Sequence, residues 1–277
     1  MILHEPELIE AYSDKGYWGD RTLLDRFAAN RAAYPDREAV VDPPNRDELV
    51  GTPPQRLSWA ELGRAVDATA AELARRGFGK DDLLVAQLPN IWELAMLYLA
   101  AAKAGGLLSA LPLQWRSKDV GYVKEITGAR FYASVESFHG FDYRALGQEL
   151  GFEHYIGLAA LTDIAHGDPG RVPEVPVDAN DIFTLCWTSG TESNPKGCPM
   201  SHNNWEYMTN LVFTTCGLRE GDRILCVAPL VNMTAVGVNY LPWLAAGGTL
   251  VLHHPITPEI LLRQLTEEHI EYTILVP

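Results

Sequence analysis

Along this chain, short apolar runs alternate with stretches whose apolar residues recur at helical spacing. Thr22-Leu23-Leu24-Asp25 reads as a capping box. Leu23, Leu24, Phe27, Ala28 and Ala32 then share one helical face, which Pro35 stops. Residues 38–42 (EAVVD) read as a strand, and residues 42–54, with four prolines and a glycine, as a loop. Ser58-Trp59-Ala60-Glu61 is a second capping box. Leu62, Ala65, Val66, Ala70 and Leu73 continue its face, with Thr69 as the polar member, up to Gly77. Residues 83–88 (LLVAQL) read as a buried strand, Asn90 as the cap of a helix over 91–103, and 107–111 as the next strand. Strand, helix, strand over so few residues is a βαβ unit, hence a parallel pair with a right-handed crossover.

The alternation continues. Ser117 opens a helix through Thr127 that Gly128 ends, residues 131–135 are a strand, 142–150 a helix and 155–158 a weak strand. Residues 165–179 carry Pro169, Pro173 and Pro176 and read as a surface linker. A strand over 183–187 follows, and Trp205, Met208, Leu211 and Val212 share a helical face ended by Gly217. Residues 223–228, 249–253 and 272–276 read as strands, separated by a helix over 240–246 and one starting at Thr257-Pro258. Residues before Arg21, rich in charge and turn formers, read as an irregular arm. The pattern predicts an α/β fold of two doubly wound parallel sheets. Its division is an N-terminal arm over 1–20, a first α/β part over 21–180, and a second, incomplete part over 181–277.

Composition adds bounds. The chain has 277 residues, 47% hydrophobic and 21% charged, enough for one large domain or two modest ones. Its 36 acidic residues outnumber 22 basic ones, for a net charge of -14. Nucleic acid is therefore not an expected partner, because a phosphate footprint needs a basic patch. Cys186, Cys198, Cys216 and Cys226 form no C-x-x-C pair, and Cys186 and Cys226 lie in strand-like runs. They read as small buried hydrophobes in a reducing compartment. The first residues lack a basic and an apolar signal region, so a cytoplasmic location is expected. The longest apolar run, 91–113, is interrupted by Glu93, Lys103, Gly105-Gly106 and Pro112, so no membrane span is expected.

The candidate chemistry lies after the strand at 183–187. There Thr188, Ser189, Gly190, Thr191, Glu192, Ser193, Asn194, Pro195, Lys196 and Gly197 form a loop of hydroxyls and glycines with one lysine, ahead of a helix near Asn203. Such a loop between a strand and a helix suits phosphate. The hydroxyls donate, the glycines let backbone N–H groups face an anion, Lys196 supplies a full charge and Pro195 stiffens the approach. The same residue types also build plain exposed turns. A Walker A loop fails on spacing, since Lys196 precedes Gly197 and Cys198 follows. The dinucleotide fingerprint is absent. Ser189 sits in no Gly-x-Ser-x-Gly elbow. The adjacent His253 and His254 would point to opposite faces of a strand and chelate poorly, so metal binding by side chains is not expected. His202, just before a helix, reads as structural.

Thr188-Ser189-Gly190-Thr191, Pro195-Lys196-Gly197 and Ser201-His202-Asn203 together resemble the phosphate loop of the adenylate-forming superfamily. Its members include acyl- and aryl-CoA synthetases, peptide-synthetase adenylation domains and luciferases. Glu192 stands where a threonine is usual and Ser193 where a glycine is usual. A carboxylate there must point away from polyphosphate or help hold a metal ion. Leu88-Pro89-Asn90, Ala102-Lys103-Ala104-Gly105, Leu111-Pro112-Leu113, Gly221-Asp222-Arg223, Pro229-Leu230 and Gly247-Gly248-Thr249 extend the resemblance over roughly residues 20 to 277.

The resemblance implies two α/β subdomains of the family's N-terminal domain, with the chain stopping before the C-terminal domain. It implies an AMP-forming carboxylate–CoA ligase using ATP, Mg²⁺ and coenzyme A on a small carboxylic acid. The ten loop residues would hold nucleotide. Asn232 and Met233, in a loop where the family usually has an aromatic then a histidine, would touch the acyl group. Residues 229–235 carry no carboxylate, which argues against an amino acid substrate. The family's Tyr-Gly-x-Thr-Glu segment, its ribose-binding aspartate, its hinge and its catalytic lysine have no counterpart here. The catalytic residues are therefore expected beyond Pro277, in cis or on another chain, and residues 1–277 alone are expected not to turn over. The other reading of the sequence is a non-catalytic nucleotide-binding or partner-binding fragment.

Overall fold

A computed structural model describes residues 1–172, 174–188 and 194–275. Helix α1 (Pro6–Asp14) replaces the irregular arm that the charge-rich pattern predicts; none of its residues is buried, so it carries no core-facing stripe. The arm is held instead by Trp18, whose ring packs on His4 and Tyr12 at centroid distances of 4.8 and 4.9 Å. Helix α2 (Leu23–Ala33) starts at the predicted box: Asp25 N donates to Thr22 Oγ1 at 3.1 Å and Thr22 N to Asp25 Oδ2 at 2.8 Å. Strand β1 (Glu38–Val41) follows. The stretch predicted as a loop contains helix α3 (Arg46–Val50), and strand β2 (Arg56–Ser58) follows it. The short α3 buries only Arg46, so apolar spacing could not reveal it.

Helix α4 (Trp59–Arg75) is closed by the Ser58/Glu61 box, and β3 (Leu83–Gln87), α5 (Trp92–Lys103) and β4 (Leu107–Ala110) form the βαβ unit, with β3 and β4 parallel. Helix α6 (Ser117–Thr127) and β5 (Phe131–Ser134) lead to a small hairpin, β6 (Ser137–Phe138) with β7 (Phe141–Asp142). Asp142 then caps α7 (Tyr143–Glu149). Strand β8 (His154–Gly157) runs straight into helix α8 (Leu158–Ala165), which takes Leu158 from the predicted strand.

The next correction bears on function. Strand β9 (Ile182–Thr188) is followed by an antiparallel strand β10 (Lys196–Ser201), and helix α9 (His202–Thr215) starts only after it. The candidate phosphate loop therefore joins two strands of a hairpin rather than a strand and a helix. Gly197 and Pro199 break the strand pattern in the sequence, yet β10 is an edge strand, where proline is tolerated. On α9, Trp205 is buried, but Met208 and Leu211 are 37% and 53% exposed, so the predicted face is only partly a core face. Strand β11 (Arg223–Cys226), α10 (Met233–Ala235), a π-helical turn (Val236–Tyr240), α11 (Leu241–Ala246), β12 (Thr249–Leu252), α12 (Pro258–Glu267) and β13 (Tyr272–Thr273) complete the order. Val276, the end of the predicted last strand, lies outside the described residues.

Apart from the β6–β7 hairpin, the strands form two sheets, ordered β10-β9-β4-β3-β5-β8 and β13-β11-β12-β1-β2. Each is parallel except for one antiparallel edge, β9–β10 in the first and β1–β2 in the second. The chain interleaves them. The early strands β1 and β2 complete the late sheet through Val40↔Leu250, while the late hairpin β9–β10 completes the early one. A cut at residue 180 thus follows the chain rather than the sheets. Helix α5 is apolar on every side and buried from Trp92 to Ala102, as a central helix must be.

The acidic residue on α5, Glu93, is fully buried and paired. Arg46 Nη2 and Nη1 donate to Glu93 at 2.6 and 2.8 Å, Nη1 also donates to Asp42 at 2.8 Å, and Nε reaches Thr52 at 3.0 Å. The remaining carboxylate lone pairs accept from Trp92 N at 2.9 Å, Gln55 N at 3.0 Å and Thr162 Oγ1 at 2.8 Å. This network joins β1, α3, α5 and α8. Burial pushes the Asp42 carboxyl up to about 7, against the pull of Arg46. Among the described residues no helix is long and apolar enough to cross a membrane.

Candidate active site

The hairpin β9–β10 presents the ends of the candidate loop. Thr188 and Lys196 are cross-strand partners and both exposed, as are Asn194 and Gly197, with Pro195 half-buried. Ser189, Gly190, Thr191, Glu192 and Ser193 lie outside the described residues. Below the loop the hairpin is braced by two indoles: Trp187 Nε1 donates to Ser109 Oγ at 2.8 Å, and Trp205 Nε1 to Thr184 Oγ1 at 2.9 Å. Gly197 makes room for the first, since a Cβ there would sit 3.3 Å from the Trp187 ring and 3.1 Å from Leu185.

The residues after the hairpin have structural partners. Ser201 closes a capping box with Asn204. His202 is buried and its Nδ1 accepts from Leu23 N at 3.2 Å; burial lowers its pKa to about 4, so the ring stays neutral. Asn203 donates to Gly19 O and Asn180 Oδ1, each at 3.0 Å, and accepts from Gly19 N. This run locks α9 to the N-terminal arm, in line with reading His202 as structural rather than as a base.

The second candidate element is the loop after β11. Val231, Asn232 and Met233 are half-buried there. Asn232 Oδ1 accepts from Ala235 N at 2.8 Å, so that atom caps α10. The π-helical turn follows at once, a feature often found at functional sites.

Two residues that the sequence pattern does not single out as site elements hold this loop. Asn90 does not cap α5, whose N-cap is Ile91. Its side chain, 2% exposed, joins the two sheets: Nδ2 donates to Ala228 O at 2.9 Å and His253 O at 3.2 Å, and Oδ1 accepts from Leu230 N at 2.8 Å. Tyr98 on α5 donates to Leu230 O at 2.5 Å while its ring stacks on Phe183 of β9 at 6.0 Å. Hairpin and loop are therefore both anchored to α5. The polar Asn90 directly after Pro89 was the available signal. Replacing Asn90 with leucine leaves the Leu230 N–H and the His253 carbonyl unpaired, and Ala228 O with only the Cys226 thiol, at about 1–3 kcal/mol. A lowered urea midpoint and faster hydrogen exchange at Leu230 are expected; an unchanged midpoint would argue that the bridge is idle.

His253 Nδ1 lies 2.6 Å from Gln264 Oε1, and burial lowers the pKa of both His253 and His254, the latter to about 4. Among the described residues no group of three His, Cys, Asp or Glu side chains could hold a metal ion.

The chain was compared with known proteins. The family described as "AMP-binding enzyme" matches residues 27–277. A salicyl-AMP ligase / salicyl-S-ArCP synthetase of Mycobacterium tuberculosis is 28% identical over 283 residues, covering 96% of this chain and 48% of that protein. A 2-hydroxy-7-methoxy-5-methyl-1-naphthoate–CoA ligase of Streptomyces carzinostaticus is 27% identical over 291 residues, covering 96% of this chain and 50% of that protein. Among solved structures, apo MbtA of Mycobacterium smegmatis superposes with a TM-score of 0.86 at 26% identity, over 99% of this chain and 51% of that one. The chain spans about half the length of the curated relatives it matches. Its two interleaved sheets are those of the N-terminal domain of such enzymes, and the chain belongs to the AMP-binding, adenylate-forming family.

Proposed function

We propose that this chain forms the nucleotide- and acid-binding half of a ligase that activates an aryl carboxylic acid as its adenylate. The observation that carries the reading is the exposed Thr188–Lys196 pair at the mouth of a braced hairpin, with the family's hydroxyl- and glycine-rich loop between them. A substrate carboxylate oxygen attacks the α-phosphorus of ATP and expels pyrophosphate. Thr188, Ser189, Gly190, Thr191 and Lys196 donate to the β- and γ-phosphates, and Glu192, Ser193, Asn194, Pro195 and Gly197 complete the loop. Mg²⁺, when bound with ATP, would supply charge neutralisation, the usual need in phosphoryl transfer.

A thiol then attacks the acyl carbon and displaces AMP. The naphthoate relative, named a CoA ligase, supports coenzyme A as that thiol; the salicyl relative, named for ArCP, makes a carrier protein the competing acceptor to assay. Both names specify aryl acids. The half-buried Val231, Asn232 and Met233 offer apolar contact and an amide but no anion for an ammonium group, whose unpaired burial is costly. In a pyrophosphate-release screen of the protein carrying this chain, benzoate- and naphthoate-type acids should exceed amino acids by at least about tenfold, the equivalent of 1.4 kcal/mol. A preference for proteinogenic amino acids would overturn this pocket assignment.

A further inference from the structure

Cys186 on β9 and Cys198 on β10 are direct cross-strand partners. Residues opposite one another in an antiparallel pair project from the same face, with Cα atoms about 4.5–5.5 Å apart, inside the roughly 4.4–6.8 Å that a disulfide spans. Both are free thiols; Cys186 is buried and Cys198 is half-buried on the edge strand. Burial pushes the Cys186 thiol up to about 11, and its proximity to Cys198 acts in the same direction. The solvent-reachable partner therefore meets an external reagent first. The next pair on the same face is Thr188 with Lys196, two residues along each strand.

We propose that Cys186 and Cys198 are a thiol–disulfide exchange site that takes a low-molecular-weight disulfide and, once oxidised, clips the two strands bearing Thr188 and Lys196. The Cys198 thiolate attacks one sulfur of the small disulfide, forming a mixed disulfide and expelling one small thiolate. Cys186 then gives up its proton, attacks Cys198 Sγ and expels the second. The protein loses two electrons and two protons; the small disulfide gains both and leaves as two thiols. Cys226 is buried in the other sheet and Cys216 is exposed beyond α9, so neither has a cross-strand thiol partner in the described pairings. The inference does not depend on the adenylation reading.

The test is to incubate the folded protein with excess glutathione disulfide, quench in acid, alkylate after unfolding and map the peptides by mass. The expected product links the Cys186 and Cys198 peptides, lighter by two hydrogens, with Cys226 alkylated. Cys198→Ser should abolish the link and leave Cys186 alkylated, whereas Cys216→Ser should form it as the parent does. Hydrogen exchange of the β10 amides should slow in the linked form. A stable glutathione adduct on Cys198 with Cys186 still alkylated would overturn the proposal, as would reaction confined to Cys216. A link that forms without slowing β10 exchange would overturn the clip.

Discussion

Replacing Arg46 with methionine is expected to destabilise the fold by about 3–5 kcal/mol, the usual cost of removing one partner from a buried ion network. Arg46 is fully buried, and its guanidinium is the cation that faces Asp42 and Glu93 among the described contacts. Without it two buried carboxylates confront each other with no cation between them, and burial then favours the protonated form of Asp42 still more strongly. The folded-state pKa of Asp42, already held at about 7 by burial in the parent, then rises further, so the native state binds more protons than the unfolded one and stability falls as pH rises through that interval. Between pH 6 and pH 8 the variant should lose more stability than the parent does in urea melts. The triple replacement Asp42→Leu, Arg46→Met, Glu93→Leu should recover much of the loss, because no charge is left stranded. A single variant within about 0.5 kcal/mol of the parent, the range of ordinary surface changes, would show that the network is not what joins β1, α3, α5 and α8.

Lys196→Ala should do the opposite: leave stability nearly untouched and impair nucleotide use. Lys196 is exposed at the first position of an edge strand, so the fold gains little from its side chain. Toward polyphosphate it would provide a charge-assisted contact of roughly 1.5–3 kcal/mol, hence a loss of about tenfold or more in the MgATP dependence of turnover. Parent-like MgATP dependence in a well-folded Lys196→Ala protein would remove the phosphate assignment from this hairpin.

What could be read from the sequence was local. The Thr22 and Ser58 capping boxes signal within four residues, and both close in the structure. The βαβ unit over residues 83–110 announces itself by a change of apolar period. Several of the misses share a physical cause, which is that their partners are remote. Asn90 looks like a helix cap until its partners are found 138 to 163 residues away. Helix α3 forms around Arg46, whose anchor Glu93 lies 47 residues along the chain. No local pattern places β1 beside β12. The hairpin was hidden by Gly197 and Pro199, residues that argue for a loop unless the strand is known to lie on an edge. The candidate loop itself was legible as chemistry, through its hydroxyls, glycines and lysine, but not as geometry.

Exchange of labelled pyrophosphate into ATP isolates the proposed carboxylate adenylation from any later thiol transfer. The assay is run on the protein carrying this chain, with MgATP and an aryl carboxylic acid, and with no coenzyme A or carrier protein present. Label entering ATP only when the acid is present, and falling about tenfold or more in Lys196→Ala, is the predicted result. ATP cleavage without acid-dependent exchange, or exchange indifferent to Lys196, would contradict it.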